Sequence, residues 1–141
     1  MQTILAVENE SFKLKINSSD KSRHNFVPRQ HSADVSCCRN SFAAFQIIIL
    51  CDGHACINLG NSPWFSEFYG AENIHVRHKG ELTPVMNHIG MLLGDDGELY
   101  ADMLKSSPVT DAAANVPSGI FVRFEISENV KPGKYCLLYT S

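Results

Sequence analysis

With 141 residues, 44% of them apolar and 19% charged, the chain has the length and composition of one globular domain. A chain of this size buries roughly 70% of the surface its unfolded form exposes, so it needs no disulfide or metal to hold a core. Its net charge of −3, with Lys and Arg scattered along the chain, speaks against a nucleic-acid partner, because phosphate binding requires a clustered basic surface.

The opening, Met1 to Glu8, lacks the basic start and the long apolar stretch of a secretory signal, which fits a cytoplasmic protein or the start of an excised domain. Phe12 to Ile16 alternates apolar residues with two lysines and reads as an early strand. Residues 1–32 are thus expected to supply an N-terminal strand and loop, and residues 33–141 the core of the same single domain. Ala43 to Cys51 is almost continuously apolar and rich in Ile, and it ends at the turn signal Asp52-Gly53. It reads as a central strand buried on both faces; at this length, interrupted by Gln46, it is far short of the about 20 residues of a membrane helix. No membrane partner is expected.

Ala55 to Leu59 and Ile74 to Arg77 read as shorter strands. Between Met86 and Pro117 the pattern weakens, with a turn at Gly94-Asp95-Asp96-Gly97 and breakers at Asn87, Ser106, Ser107, Pro108 and Pro117. A long loop or a short helix is expected there, the helix over Glu98 to Lys105. Ile120 to Ile126 then gives the clearest alternation in the chain, Ile120, Val122, Phe124 and Ile126 on one face and Arg123 and Glu125 on the other. The following Lys131-Pro132-Gly133-Lys134 is a turn leading into Tyr135 to Tyr139, which predicts a β-hairpin or a sandwich corner. Short strands without a sustained helical period predict an all-β fold, an antiparallel β-sandwich of Greek-key or jelly-roll type.

The residues that could carry chemistry do not form a known constellation. Five cysteines (Cys37, Cys38, Cys51, Cys56 and Cys136), an odd number with two adjacent, fit reduced, partly buried thiols better than a disulfide framework, which slightly favours a cytoplasmic location. Of the six histidines (His24, His31, His54, His75, His78 and His88), the tightest pair sits three apart on a predicted strand and faces opposite ways, so no metal site is assigned. Asp95, Asp96 and Glu98 lack the ligand alternation of a calcium loop and read as a solvated turn. There is no Gly-x-Ser-x-Gly elbow, and no pair of carboxylates stands in a context suggesting the about 5 to 10 Å separation of a glycosidase. Neither a catalytic residue nor a cofactor is assigned. The stretch Pro63 to Tyr69 concentrates aromatics, and Trp64, Phe65 and Tyr69 can be read as a stacking platform for sugars; the commoner use of such residues is to plug the open end of a sandwich.

Three segments in order resemble the N-terminal β-sandwich of family 123 glycoside hydrolases and of related uncharacterised bacterial proteins. Arg39-Asn40-Ser41 through Phe45-Gln46 is similar to that group's Arg-Asn-Glu-x-x-x-Phe-Gln entry, with Ser41 in place of Glu. Tyr100-Ala101-Asp102-Met103-Leu104 is similar to its Tyr-Pro-Asp-x-Leu segment, with Ala101 in place of Pro. Ile120 to Ile126 followed by Pro132-Gly133-Lys134-Tyr135 resembles its last strand pair and turn. The resemblance covers roughly residue 33 to the end. It implies a non-catalytic accessory domain whose partner is a downstream catalytic (β/α)8 barrel in the parent chain, with glycan as a further candidate ligand. The motif residues Arg39, Asn40, Gln46, Pro132 and Gly133 are then scaffold residues; Gln46, among apolar neighbours, should be hydrogen-bonded internally. An independent carbohydrate-binding module and a protein-interaction sandwich are the alternatives.

Overall fold

The structure, a computed structural model, describes residues 2–29, 35–59, 67–69, 75–79, 84–126, 128 and 136–140, with strand placement alone for 67–69, 75–79, 84 and 136–140. In chain order the strands are β1 (Thr3–Asn9), β2 (Lys15–Ile16), β3 (Ser41–Cys51), β4 (Ala55–Asn58), β5 (Glu67–Tyr69), β6 (His75–Lys79), β7 (Pro84–Leu93), β8 (Leu99–Leu104), β9 (Val109–Ala112), β10 (Ser118–Ile126) and β11 (Cys136–Thr140). Among the described residues there is no helix, and so none long and apolar enough to cross a membrane. The fold is all-β, and every strand pairing is antiparallel.

A six-stranded sheet in the order β1-β3-β10-β7-β8-β2 is the main body, beside a three-stranded sheet β5-β4-β9 and the pair β11-β6. Its centre is β3, where Gln46, Ile47, Ile48 and Ile49 are buried in succession. Successive strand residues face opposite ways, so burial of all four requires cover on both faces. On one face Ile47, Ile49 and Cys51 join Leu5 of β1 and Ile120, Val122 and Phe124 of β10. The three-stranded sheet closes this face with Ala55 and Ile57 of β4, the adjoining Leu59, and Ala112 of β9.

On the other face Ile48 packs with Ala6 of β1, Leu14, Ile16 of β2, Phe26 and Ala101 of β8. Strands β1 and β2 stand at opposite ends of the sheet order, yet their side chains share this cluster. The sheet therefore curls into a half-barrel around it.

The β1-to-β2 connection rounds the rim of that half-barrel, and Gln46 holds it there. The two N–H groups of its Nε2 are shared among the carbonyls of Asn9 (3.2 Å), Glu10 (3.1 Å) and Phe12 (2.6 Å), of which Asn9 also accepts the Phe12 N–H (3.1 Å). Entry into β3 is set by Asn40, whose φ of 62° lies in the left-handed region that Asn tolerates.

The expected loop or short helix between residues 86 and 117 is replaced by three strands, β7, β8 and β9. The turn at 94–97 is a hairpin turn, with Gly94 N–H donating to Glu98 O (2.8 Å) and Gly97 at φ 81°. The stretch expected as a helix is β8, since Leu99 and Ala101 turn inward in alternation and pair with Leu93 and Met91. Asn87 looks like a breaker only until its partner is seen: its amide donates to Lys105 O (3.1 Å), and beside it a ring nitrogen of His88 lies 2.9 Å from Pro108 O.

Of the two expectations for the C-terminal end, a hairpin or a corner between sheets, the hairpin is corrected: β10 and β11 belong to different sheets. Both sides of β10 are occupied, by β3 and β7, so β11 cannot pair with it and pairs with β6 instead. Of Phe12 to Ile16 only Lys15–Ile16 is strand, and the opening of the chain, read for a signal alone, forms β1.

Replacing Gln46 by Leu should lower stability by about 2 to 3 kcal/mol, since each lost hydrogen bond contributes about 1 kcal/mol net and carbonyls are left without a donor. Urea unfolding followed by circular dichroism measures this, and Ile48→Ala, a cavity in the doubly covered strand, should cost about 2 to 5 kcal/mol in the same assay.

Candidate functional site

Among the described residues an open cleft of about 510 Å³ is lined by Lys15, Asn17, Arg23, His24, Asn25, Asp96 and Glu98. One wall is the segment after β2. There Asn17 Oδ1 accepts from the N–H groups of Ser19 (3.0 Å) and Asp20 (2.8 Å), and Asp20 Oδ1 accepts from Ser22 N–H (3.2 Å). The chain returns through Asn17 N–H to Arg23 O (2.9 Å) and Asn25 N–H to Lys15 O (3.1 Å). Side chains of Asn and Asp standing in for backbone partners make this a stiff turn rather than a loose loop.

The opposite wall is the β7–β8 turn, where Asp96 Oδ1 accepts from Glu98 N–H (3.0 Å) and Asp96 Oδ2 from the Tyr100 hydroxyl. Lys15 joins the two walls. Its Nζ is 3.7 Å from Asp96 Oδ2 and 5.8 Å from the centre of the Tyr100 ring, while Asn17 Nδ2 reaches Glu98 Oε1 at 3.5 Å.

The Tyr100 hydroxyl, then the Glu98 backbone, and finally the charge of Lys15 hold the Asp96 carboxyl below its ordinary range. The same bond raises the Tyr100 hydroxyl above its ordinary value. Asp96 is therefore an anion at neutral pH, suited to accept hydrogen bonds and unsuited to deliver a proton. With Arg23 and His24 on one side and two carboxylates on the other, the cleft offers both donors and acceptors to a polar ligand.

The residues singled out from the sequence are not gathered at this cleft. Trp64, Phe65, Pro132 and Gly133 lie outside the described residues, and Tyr69 is placed on β5 opposite Cys56. Arg39 and Asn40 are exposed in the turn before β3, whereas Gln46 is 3% exposed in the core. The histidines disperse as well: His24 lines the cleft, His54 stands in the β3–β4 turn, His75 and His78 lie on β6, and His88 is buried; His31 is outside the described residues. Cys37 and Cys38, expected to be partly buried, are exposed, while Cys51 is in the core. Among the described residues no group of three or more His, Cys, Asp or Glu side chains comes together as a metal site, the 95–98 turn included.

The cleft itself escaped sequence reasoning because Lys15 and Asp96 are remote in the chain and meet only through the β2–β8 pairing. The usable signal was Asp96 and Tyr100 flanking a Gly turn. No protein-family model matches the chain, and no curated protein matches it.

Tyr100→Phe should move the titration of the Asp96 carboxyl upward, toward the ordinary 3.8, because the largest cause of its lowering is removed. Carbon-13 NMR titration of the side-chain carboxyls reads the change directly.

Proposed function

We propose that this chain is a non-catalytic accessory β-sandwich domain of a carbohydrate-active enzyme, one that packs against a catalytic (β/α)8 barrel of the parent protein. The observation that carries the reading is that the described strands of the segments resembling the family 123 accessory domain, β3, β8 and β10, are all members of the six-stranded sheet, with β10 directly beside β3. Their side chains serve the scaffold: Gln46 ties down the β1–β2 connection, Ala101 fills the half-barrel, and Ile120, Val122 and Phe124 face the three-stranded sheet. A shared frame, rather than a shared reactive centre, is what such a resemblance should preserve.

Two features support the finer parts of the reading. The three-stranded sheet covers one face of β1, β3 and β10, which favours a sandwich. Leu92, Leu93, Met103 and Leu104 are exposed along the β7–β8 hairpin, distributed over both of its faces, apolar area that a larger docked domain would cover in part.

The isolated chain should release no nitrophenol from a panel of 4-nitrophenyl glycosides, whereas the parent protein carrying the barrel should. Hydrolysis by the isolated chain, abolished by mutating an acidic pair within it, would sink the proposal. Calorimetry with oligosaccharides supplies the second arm: binding by the isolated chain that vanishes in Trp64→Ala, with the circular dichroism spectrum unchanged, would make it an independent carbohydrate-binding module instead.

A further inference from the structure

His88 stands in the middle of β7, opposite Ile120 of β10, and is only 1% exposed. A histidine so placed in a single apolar layer would have nothing to bond. Here the connection between β8 and β9, residues 105–108, crosses over it from the six-stranded to the three-stranded sheet. Lys105 N–H donates to the His88 carbonyl (2.8 Å), and Asn87 Nδ2 donates to Lys105 O (3.1 Å). The Pro108 carbonyl, at the far end of the crossover, lies 2.9 Å from His88 Nε2 and also accepts the N–H of Leu59 at the end of β4 (2.8 Å). A carbonyl can only accept, so Nε2 must carry the proton and donate it to Pro108.

One oxygen thus receives bonds from both sheets, and the ring of His88 is the side-chain member of that junction. The other ring nitrogen, Nδ1, is buried without a hydrogen-bond partner among the described residues. In the neutral tautomer that atom is a bare lone pair. In the cation it becomes a second N–H, and the ring carries a full charge at a site 1% exposed to water. The Nε2 bond to Pro108 survives and the Ile57 backbone compensates in part, so it is the burial of that charge that disfavours the closed state.

We propose that His88 is a pH-responsive latch, which in its neutral form clamps the 105–108 crossover and the three-stranded sheet to the six-stranded sheet and on protonation releases them. Among the described residues the charged group facing the ring is Lys105, from the crossover itself; β10 presents Ile120, and β4 presents the Ile57 backbone and the Leu59 amide, none of which titrates. Burial disfavours the imidazolium most. The Pro108 carbonyl works against that effect, the like charge of Lys105 adds to it, and the Ile57 backbone opposes it weakly, leaving the ring's proton affinity below the ordinary 6.5.

Because the clamped state binds this proton less well than an opened state does, the latch is fully closed above about 6.5. It loosens progressively as the pH falls from there toward the lowered value of the clamped form. The element released should be the crossover with β4 and β9, since β3, β10 and β1 are joined by long continuous ladders that do not pass through His88.

Amide hydrogen exchange followed by NMR at about pH 7.5 and about pH 5, expressed as protection factors to remove the intrinsic pH dependence, tests this. Protection of the Leu59 and Lys105 amides and of the β4–β9 ladder should fall by about tenfold or more, with the β3–β10 ladder unchanged, since linkage alters an opening constant by up to about tenfold per pH unit. H88Q, which keeps a neutral N–H donor on a side chain of similar reach, should lose the acid dependence. K105M, which removes the like charge and leaves the ring in place, should shrink it, and that variant decides the matter if H88Q does not fold. A uniform loss of protection across both sheets, no loss at all, or the same acid dependence in a folded H88Q or in K105M would each overturn the proposal.

Discussion

Strand β3 carries apolar side chains on both of its faces from Ile47 to Ile49, so neither face can be left to water. One sheet cannot satisfy that demand by lying flat. The chain meets it in two ways at once: on one side a separate three-stranded sheet is laid across, and on the other the six-stranded sheet bends until its own two ends meet over Ile48. Each fully buried Ile contributes about 1.5 to 3 kcal/mol relative to exposure, so the run from Ile47 to Ile49 is a large share of what holds a domain of this size together.

Covering both faces obliges connections to pass over the core, and a passing backbone brings unpaired carbonyls and amides with it. Gln46 and His88 are where the chain answers that need. Each is a polar side chain buried among apolar ones, and each bonds the backbone of a segment crossing its face: Gln46 the β1–β2 connection, His88 the crossover from β8 to β9. Such groups stabilise little in net terms when bonded and cost much when not, so they specify which segment lies where more than they add stability. They also differ in kind. An amide is neutral at any pH, whereas an imidazole takes on a charge when it is protonated.

Two lysine–aspartate ion pairs lie along the β2 edge of the main sheet. Strand β2 is two residues long, and the Lys13–Asp102 and Lys15–Asp96 pairs join its segment to β8 and the turn before it. A short edge strand flanked by lysines resists pairing with another chain, which accounts for this pattern without invoking much stability from the exposed ion pairs themselves. The cleft is a by-product of the same arrangement, because the turn after β2 and the turn before β8 stand side by side. Its balanced charges and its Asp96 held as an anion make it a surface for hydrogen bonding.

Local pattern was enough to reveal the all-β class, the doubly buried strand after Asn40 and the alternation of Ile120 to Ile126, because period and burial are written in neighbouring residues. The internal bonding of Gln46 followed from its apolar surroundings alone. Residues 86–117 defeated that reading because Asn87 and His88 are compatible with a strand only when the crossover supplies their partners, and those partners lie 18 and 20 residues away. The C-terminal hairpin failed for a related reason: a turn signal states that the chain reverses, and whether the next strand can pair depends on which edges are already taken. Here β3 and β7 had taken both edges of β10. The sequence by itself determined that β3 and β10 are strands with buried faces; only the tertiary structure decided that residues 86–117 are strands too, which edges the strands share, where the sheet curls, and that His88 is sealed between layers, since each of these depends on contacts between residues far apart in the chain.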